Sequence, residues 1–109
     1  MKKNRYSTFK AIADPTRREI LHLLVAASAA LSINTISENF DSTRQAITKH
    51  IFLLERAGLL KVRKQGREKY CFADPSPLKE VHDWISQYER FWESKLDDLG
   101  RYLDFPDKF

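Results

Sequence analysis

The chain has 109 residues, 42% of them hydrophobic and 31% charged, with one cysteine, which is enough for one core and too few for two independent ones. No apolar run approaches the roughly 18 residues of a membrane span, the opening "MKKNRYSTF" has no apolar signal segment, and a lone cysteine excludes an intrachain disulfide or a thiolate-rich metal site within one chain; the expectation is a cytoplasmic protein with no membrane partner and no cofactor. The net charge of +4 is unevenly placed, with 14 Lys and Arg against 6 Asp and Glu up to Ala73 and 5 against 9 from Asp74 onward, so a segment that attracts polyanions stands beside one with a different task.

In "YSTFKAIADPTRREILHLLVAA", Tyr6, Phe9, Ile12 and Ala13 recur at helical spacing. Asp14 then caps a new helix that opens on Pro15, where a missing N–H costs nothing. Glu19 suits the positive end of that helix, while Ile20, Leu21, Leu24 and Val25 make its inward face. Arg17 and Arg18 read as a solvated face. In "LSINTISENFD", Ser32 caps a two-turn helix with Ile33, Ile36 and Phe40 inward. After a break at Asp41, Ser42 and Gln45 have the spacing of a capping box, with Thr43 an alternative cap one residue later. Ile47, Ile51 and Leu54 carry the buried stripe of this helix and Gly58 closes it.

The segment "LLKVRKQGREKYCF" changes period. Leu60 and Val62 alternate with Lys61 and Arg63, Tyr70 and Phe72 alternate with Lys69 and Cys71, and Gln65-Gly66 reads as a tight turn, so this is a β-hairpin. Two short strands are not stable alone and must pack on the preceding helices. The hairpin carries Lys61, Arg63, Lys64, Arg67 and Lys69 against one acid, Glu68. Cations on an edge hairpin also deter edge-to-edge association, so this charge is consistent with either role.

Asp74, Pro75 and Pro77 break the pattern, and one helix of about 27 residues, from Pro77 to Leu103, is expected to follow, roughly 40 Å long. Its stripe is Val81, Ile85, Tyr88, Trp92, Leu96, Leu99 and Leu103, with Leu78 before it and Trp84 and Phe91 on a second line. That face is wider and longer than one small core needs and points to a partner helix.

The order of elements is mainly α with a small β-hairpin, and the third and fourth helices meet the description of a helix-turn-helix, with the hairpin as a wing. Arg44, Gln45, Thr48 and Lys49 point away from the Ile47–Ile51–Leu54 stripe and would face a major groove. Arg can give two hydrogen bonds to guanine, Gln can pair with adenine, and Ser42 or Thr43 can hold a phosphate at the helix start. Lys64 and Arg67 would then reach neighbouring phosphates. An enzyme is not expected: His22, His50 and His82 are scattered, and no glycine-rich phosphate loop is present. The alternative is a winged helix that binds only protein, which would not need a basic hairpin beside an Arg- and Gln-bearing helix start.

The strings "DPTRREIL" and "TRQAITKHIFLLERAGLL", about thirty residues apart and followed by the hairpin, resemble the ArsR-type winged-helix transcriptional regulators over nearly the whole chain. The resemblance implies one winged-helix DNA-binding domain over residues 1–109, with residues 77–103 as a long dimerisation helix. It also implies a homodimer built on the first and last helices, with Tyr6, Phe9, Ile85, Tyr88, Trp92, Leu96 and Leu99 at the interface. Such a dimer would repress transcription from an inverted-repeat operator in double-stranded DNA. By the same resemblance Thr43 to Lys49 match the DNA-reading segment, Gln65 to Arg67 the wing tip, and His50 a histidine frequent at that place. Metal-sensing members carry a cysteine pair where this chain has "NTISENF", or acidic and histidine ligands on the last helix where it has only His82 and Asp83. No metal site is therefore assigned, and the effector is not legible.

Overall fold

Helix starts follow their caps. Ser7 Oγ accepts from the backbone N–H groups of Phe9 and Lys10 and opens α1 (Thr8–Ile12), while Pro15 opens α2 (Pro15–Ala27). Buried Ser32 ends the short strand β1 (Leu31–Ser32) and caps α3 (Ile33–Glu38), its hydroxyl accepting from Thr35 N at 3.1 Å and donating to Thr35 Oγ1 at 3.0 Å. The cap of α4 (Arg44–Arg56) is Thr43, whose hydroxyl accepts from Ala46 N at 3.1 Å. Of the two caps expected there, the chain uses Thr43 and leaves Ser42 in the preceding bend. Asp14 sits at the cap position of α2, but its side chain makes no capping bond.

This is a computed structural model, and it describes residues 6–104, the side chains of 102–104 excepted. After α4 come β2 (Leu60–Gln65), β3 (Glu68–Ala73), α5 (Leu78–Ser86) and α6 (Glu89–Asp104). No helix among the described residues is long and apolar enough to cross a membrane.

The hairpin is the expected one with its turn shifted by a residue. Gln65 and Glu68 pair as the last strand partners, so Gly66 and Arg67 form a two-residue loop. Gly66 has φ +64°, and Arg67 is not among the positive-φ residues, which is the pattern of a type II′ turn. The hairpin is not a two-stranded ribbon. β1 pairs antiparallel with β3, giving a sheet in the order β1-β3-β2 with Leu31 opposite Cys71. The extra strand is two residues long, too short for any alternation to show, and it exists because the free edge of β3 needs partners for its backbone groups.

The core lies between this sheet and helices α1 to α4. Ile20, Leu24, Ile36, Ile47, Ile51, Leu54, Leu59 and Leu60 are essentially inaccessible, as is Cys71. Leu59 and Leu60 carry the chain from α4 into β2 after a left-handed Gly58, with φ +81°. Val25, expected inside, is 45% exposed. It lies at the edge of the α2 stripe and lines a shallow apolar groove with Leu24, Phe72 and Pro75.

Arg17 corrects the reading of a solvated face, being partly buried, while Arg18 is exposed as expected but is also bonded to the backbone. Arg17 Nε donates to Ala11 O at 2.7 Å and its Nη2 to Lys10 O at 3.1 Å, while Arg18 Nη1 donates to Ile12 O at 2.9 Å. A helix leaves its last carbonyls without internal partners, and guanidinium groups are well suited to satisfy them. The two side chains reach back across the Asp14-Pro15 junction to hold α1 onto α2.

The single long terminal helix is also corrected, because the chain breaks at Gln87-Tyr88 between α5 and α6. Ser86 Oγ donates to His82 O at 2.8 Å, a back-bond that bends helices by competing for the carbonyl of the turn before. Backbone bonding then tightens to Gln87 N→Trp84 O at 3.3 Å and Tyr88 N→Ile85 O at 2.9 Å before Trp92 N→Tyr88 O resumes the helical ladder. Residues up to Lys79 form one compact unit and those from Glu80 another. Leu103, the last member of the expected stripe, is in α6, and its side chain lies outside the described residues.

Removing the α1 staple should cost stability without changing the fold. Arg17→Ala is expected to lower unfolding free energy by about 2 kcal/mol, the scale of charge-assisted hydrogen bonds partly screened by solvent. The measurement is a urea midpoint shifted down with unchanged slope.

Candidate nucleic-acid interface

α4 is two-faced. Ile47, Ile51 and Leu54 are at most 2% exposed, while Arg44, Gln45, Thr48 and Lys49 all stand in solvent. Among the described residues none of Arg44, Gln45 or Lys49 has a hydrogen-bond or ion-pair partner. Their donors and acceptors are available to a ligand. The first turn of α4 has no acidic residue, so nothing on it offsets the positive end of the helix dipole. Thr43 Oγ1 accepts from the Ala46 N–H with one of its two lone pairs and keeps its O–H to donate. Ser42 is exposed immediately before it.

The wing presents a second set. Lys64 and Lys69 are directly opposite in the β2–β3 register, and like charges so placed repel. An anion between them would turn that repulsion into attraction. Arg67 is exposed in the turn. Two other wing cations are engaged: Arg63 lies over the Phe72 ring at 5.3 Å, and Lys61 pairs with Asp74 at 3.8 Å. The Asp74 carboxyl is itself held below its usual range, chiefly because it accepts hydrogen bonds from Ser76.

The exposed face of α4 continues past the expected residues. Phe52 and Arg56 follow Gln45 and Lys49 at i+7 and i+11 along the same line, and Phe52 is 53% exposed. The helical spacing carried that signal, but an apolar residue at position 52 does not read as a contact until the opposite face is seen to be filled. The Arg56 guanidinium sits 5.9 Å from the Phe52 ring centre and 5.9 Å from that of Tyr6. His50 points elsewhere: its Nδ1 is 3.2 Å from Arg17 Nη1 and 3.8 Å from Asp14 Oδ2. It belongs to the junction of α2 with α4 rather than to the solvent face.

The residues expected at a self-interface divide. Ile85, Tyr88, Trp92, Leu96 and Leu99 are 42–64% exposed, as are Trp84 and Phe91 beside them. Trp84 meets Tyr88 edge to face, and so does Phe91 with Trp92. Phe9 is 37% exposed. Tyr6 is half-buried against the core of the winged-helix unit, between Arg17 and Arg56. His82 lies in the open 3.6 Å from Asp83, and among the described residues no group of three or more His, Cys, Asp or Glu is arranged to hold a metal.

Comparison with known proteins bears on this geometry. A helix-turn-helix domain profile matches residues 12–63. The chain is 36% identical over 91 residues to an HTH-type transcriptional regulator of Bacillus subtilis, YuzN, covering 78% of this chain and 99% of that one. It is 29% identical over 82 residues to the transcriptional repressor SdpR of the same organism, covering 75% and 89%. Among solved structures it is similar to an ArsR family transcriptional regulator at TM-score 0.68 and 34% identity, over 79% of this chain and 87% of that one.

Cys71 sits on the central strand, between Leu31 and Val62. Burial first, and the charge of Glu55 second, push its thiol up to about 11. Since the thiolate is the reactive form, the folded chain should resist a thiol reagent at pH 8 and label rapidly only in denaturant; rapid labelling of the native protein would contradict the buried site. Because the folded value lies above the ordinary 9.0, the stabilisation from keeping this thiol neutral is complete below pH 9 and is lost as pH rises toward 11.

Proposed function

The chain belongs to the ArsR family of helix-turn-helix transcriptional regulators, which are DNA-binding proteins, and from that premise we propose that it acts as a cytoplasmic homodimeric repressor on an inverted-repeat operator. In this reading Arg44, Gln45, Thr48 and Lys49 meet base edges, Ser42 and Thr43 hold a phosphate at the start of α4, and Lys64 and Arg67 bind phosphates flanking the groove. The observation that carries the assignment is the available row of donors and acceptors on a helix whose other face is anchored in the core. A reader of bases must be held rigidly while its contact atoms remain unspent. Repression is supported by the name of SdpR, a transcriptional repressor. Catalysis is not part of the proposal.

Self-association is proposed from the α5 and α6 surface. Trp84, Ile85, Tyr88, Phe91, Trp92, Leu96 and Leu99 expose a contiguous kind of apolar area that monomers seldom leave uncovered. A two-fold dimer, with Phe9 of the first helix and Tyr6 just before it contributing, would set its recognition helices one DNA turn apart, about 34–36 Å, and so demand a near-palindromic site.

Two experiments test this. With DNA from upstream of the gene for this chain, Arg44→Ala and Gln45→Ala should each cost about 1–3 kcal/mol and relax preference at one operator position. Lys64→Ala and Arg67→Ala should weaken binding to all sequences and reduce the salt slope by about one per lost contact. Fluorescence anisotropy across a salt series separates the two patterns, and an exchange of them would reverse the roles. In the second experiment, Trp92→Glu should lower the sedimenting mass toward a monomer and weaken operator binding at least tenfold, about 1.4 kcal/mol; a wild-type monomer that binds tightly at micromolar concentration would refute the dimer.

A further inference from the structure

Phe52 lies in the middle of the solvent face of α4, where a charged side chain would be the ordinary occupant. Gln45 and Lys49 precede it on the same line and Arg56 follows it. The residue is 53% exposed, and the Arg56 guanidinium lies over its ring at 5.9 Å and also lies against the ring of Tyr6. A cation on one ring face leaves the edge and the opposite face for a ligand. The side chain does not belong to the core, since Ile47, Ile51 and Leu54 already fill the opposite side of the helix. It can do nothing for a phosphate, being neutral and without a donor.

A major groove lined by base edges offers one apolar group, the 5-methyl of thymine, and an aromatic ring is among the side chains that recognise it. We propose that Phe52 is a specificity-determining residue that packs on a thymine methyl, with Arg56 holding the ring in place. The inference rests on α4 being the DNA-reading helix. It adds an apolar reader to a face whose other members work by hydrogen bonds and charge. Seven residues separate Gln45 from Phe52, about 10 Å along the helix axis. The thymine is therefore a different base from the one that Gln45 reads, farther along the same major groove.

The test replaces each thymine of a bound sequence by deoxyuridine, which keeps the hydrogen-bonding pattern and lacks only the methyl. The duplex is taken from a randomised pool by selection with the wild-type protein. Wild type should lose about fourfold in affinity at one thymine per half-site, the value of one buried methyl, and be indifferent at the others. Phe52→Ala, whose fold is checked by its urea midpoint, should bind the thymine duplex more weakly and show no thymine-to-uracil difference. Wild-type indifference at every thymine, with a clear selected consensus, overturns the role of Phe52 and leaves DNA reading by α4 intact. A difference that persists in Phe52→Ala assigns the methyl to another residue and overturns it equally. A pool that yields no consensus defeats the DNA-reading premise, and this inference with it.

Discussion

The guanidinium of Arg17 holds together the part of the fold on which α4, the proposed reading helix, stands. α1 has five residues, too few to be stable as a helix alone, and only Thr8 and Ala11 of it are buried. Its place is set instead by hydrogen bonds from Arg17 and Arg18 to the carbonyls of residues 10 to 12. The same Arg17 puts Nη1 at 3.2 Å from His50 Nδ1 on α4. One side chain thereby ties α1, α2 and α4 at a single point, with the Tyr6 ring 5.9 Å away. Asp14 Oδ2, inaccessible and without a hydrogen-bond partner among the described residues, lies 3.8 Å from the same histidine nitrogen.

If α4 reads bases as proposed, that junction matters for function, because base recognition is geometrically strict. Side chains that read base edges must be presented within fractions of an ångström, and a surface helix gains this precision only from what grips its other side. α4 is gripped twice. Ile47, Ile51 and Leu54 pack into the core, and His50, about 40° around the helix from Leu54 at that stripe's edge, contacts Arg17. The face left over is free of internal bonds at Arg44, Gln45 and Lys49, which is the division of labour expected of an element that belongs to both the scaffold and the site.

The wing differs in kind. It is joined to the core through Leu60 and Cys71, but toward its tip the paired side chains are polar or charged, with Lys64 opposite Lys69 and Gln65 opposite Glu68. Its inner half is secured by packing and by the third strand. Its outer half carries cations close together at a cost in repulsion, which suits the proposed contact with a polyanion. α5 and α6 make the opposite trade, exposing large aromatic and aliphatic side chains on a segment whose charge is net acidic, so that the basic and apolar surfaces fall on different parts of the chain.

Much of this was determined by local sequence. Pro15, Ser32, Thr43 and Gly58 mark helix ends through backbone sterics and single side-chain bonds, and the stripe of Ile47, Ile51 and Leu54 follows from a period of 3.6 residues. The solvent position of Arg44, Gln45, Thr48 and Lys49 follows from the same period, and the alternation around Gly66 specifies a hairpin. Tertiary structure alone decided which surfaces met. β1 pairs with β3 across some forty residues, and a two-residue strand has no pattern of its own to announce it. Arg17 looks like any solvated cation until the end of α1 is brought within its reach. Phe52 looks like core until the core is seen to lie on the other side of its helix. The terminal break at Gln87-Tyr88, where the backbone bonds shorten to i−3 beside a Ser86 back-bond, is a feature that apolar spacing does not encode. Periodicity records how a segment divides its own faces; the partner of each face depends on long-range packing, in which many segments compete for the same buried surface.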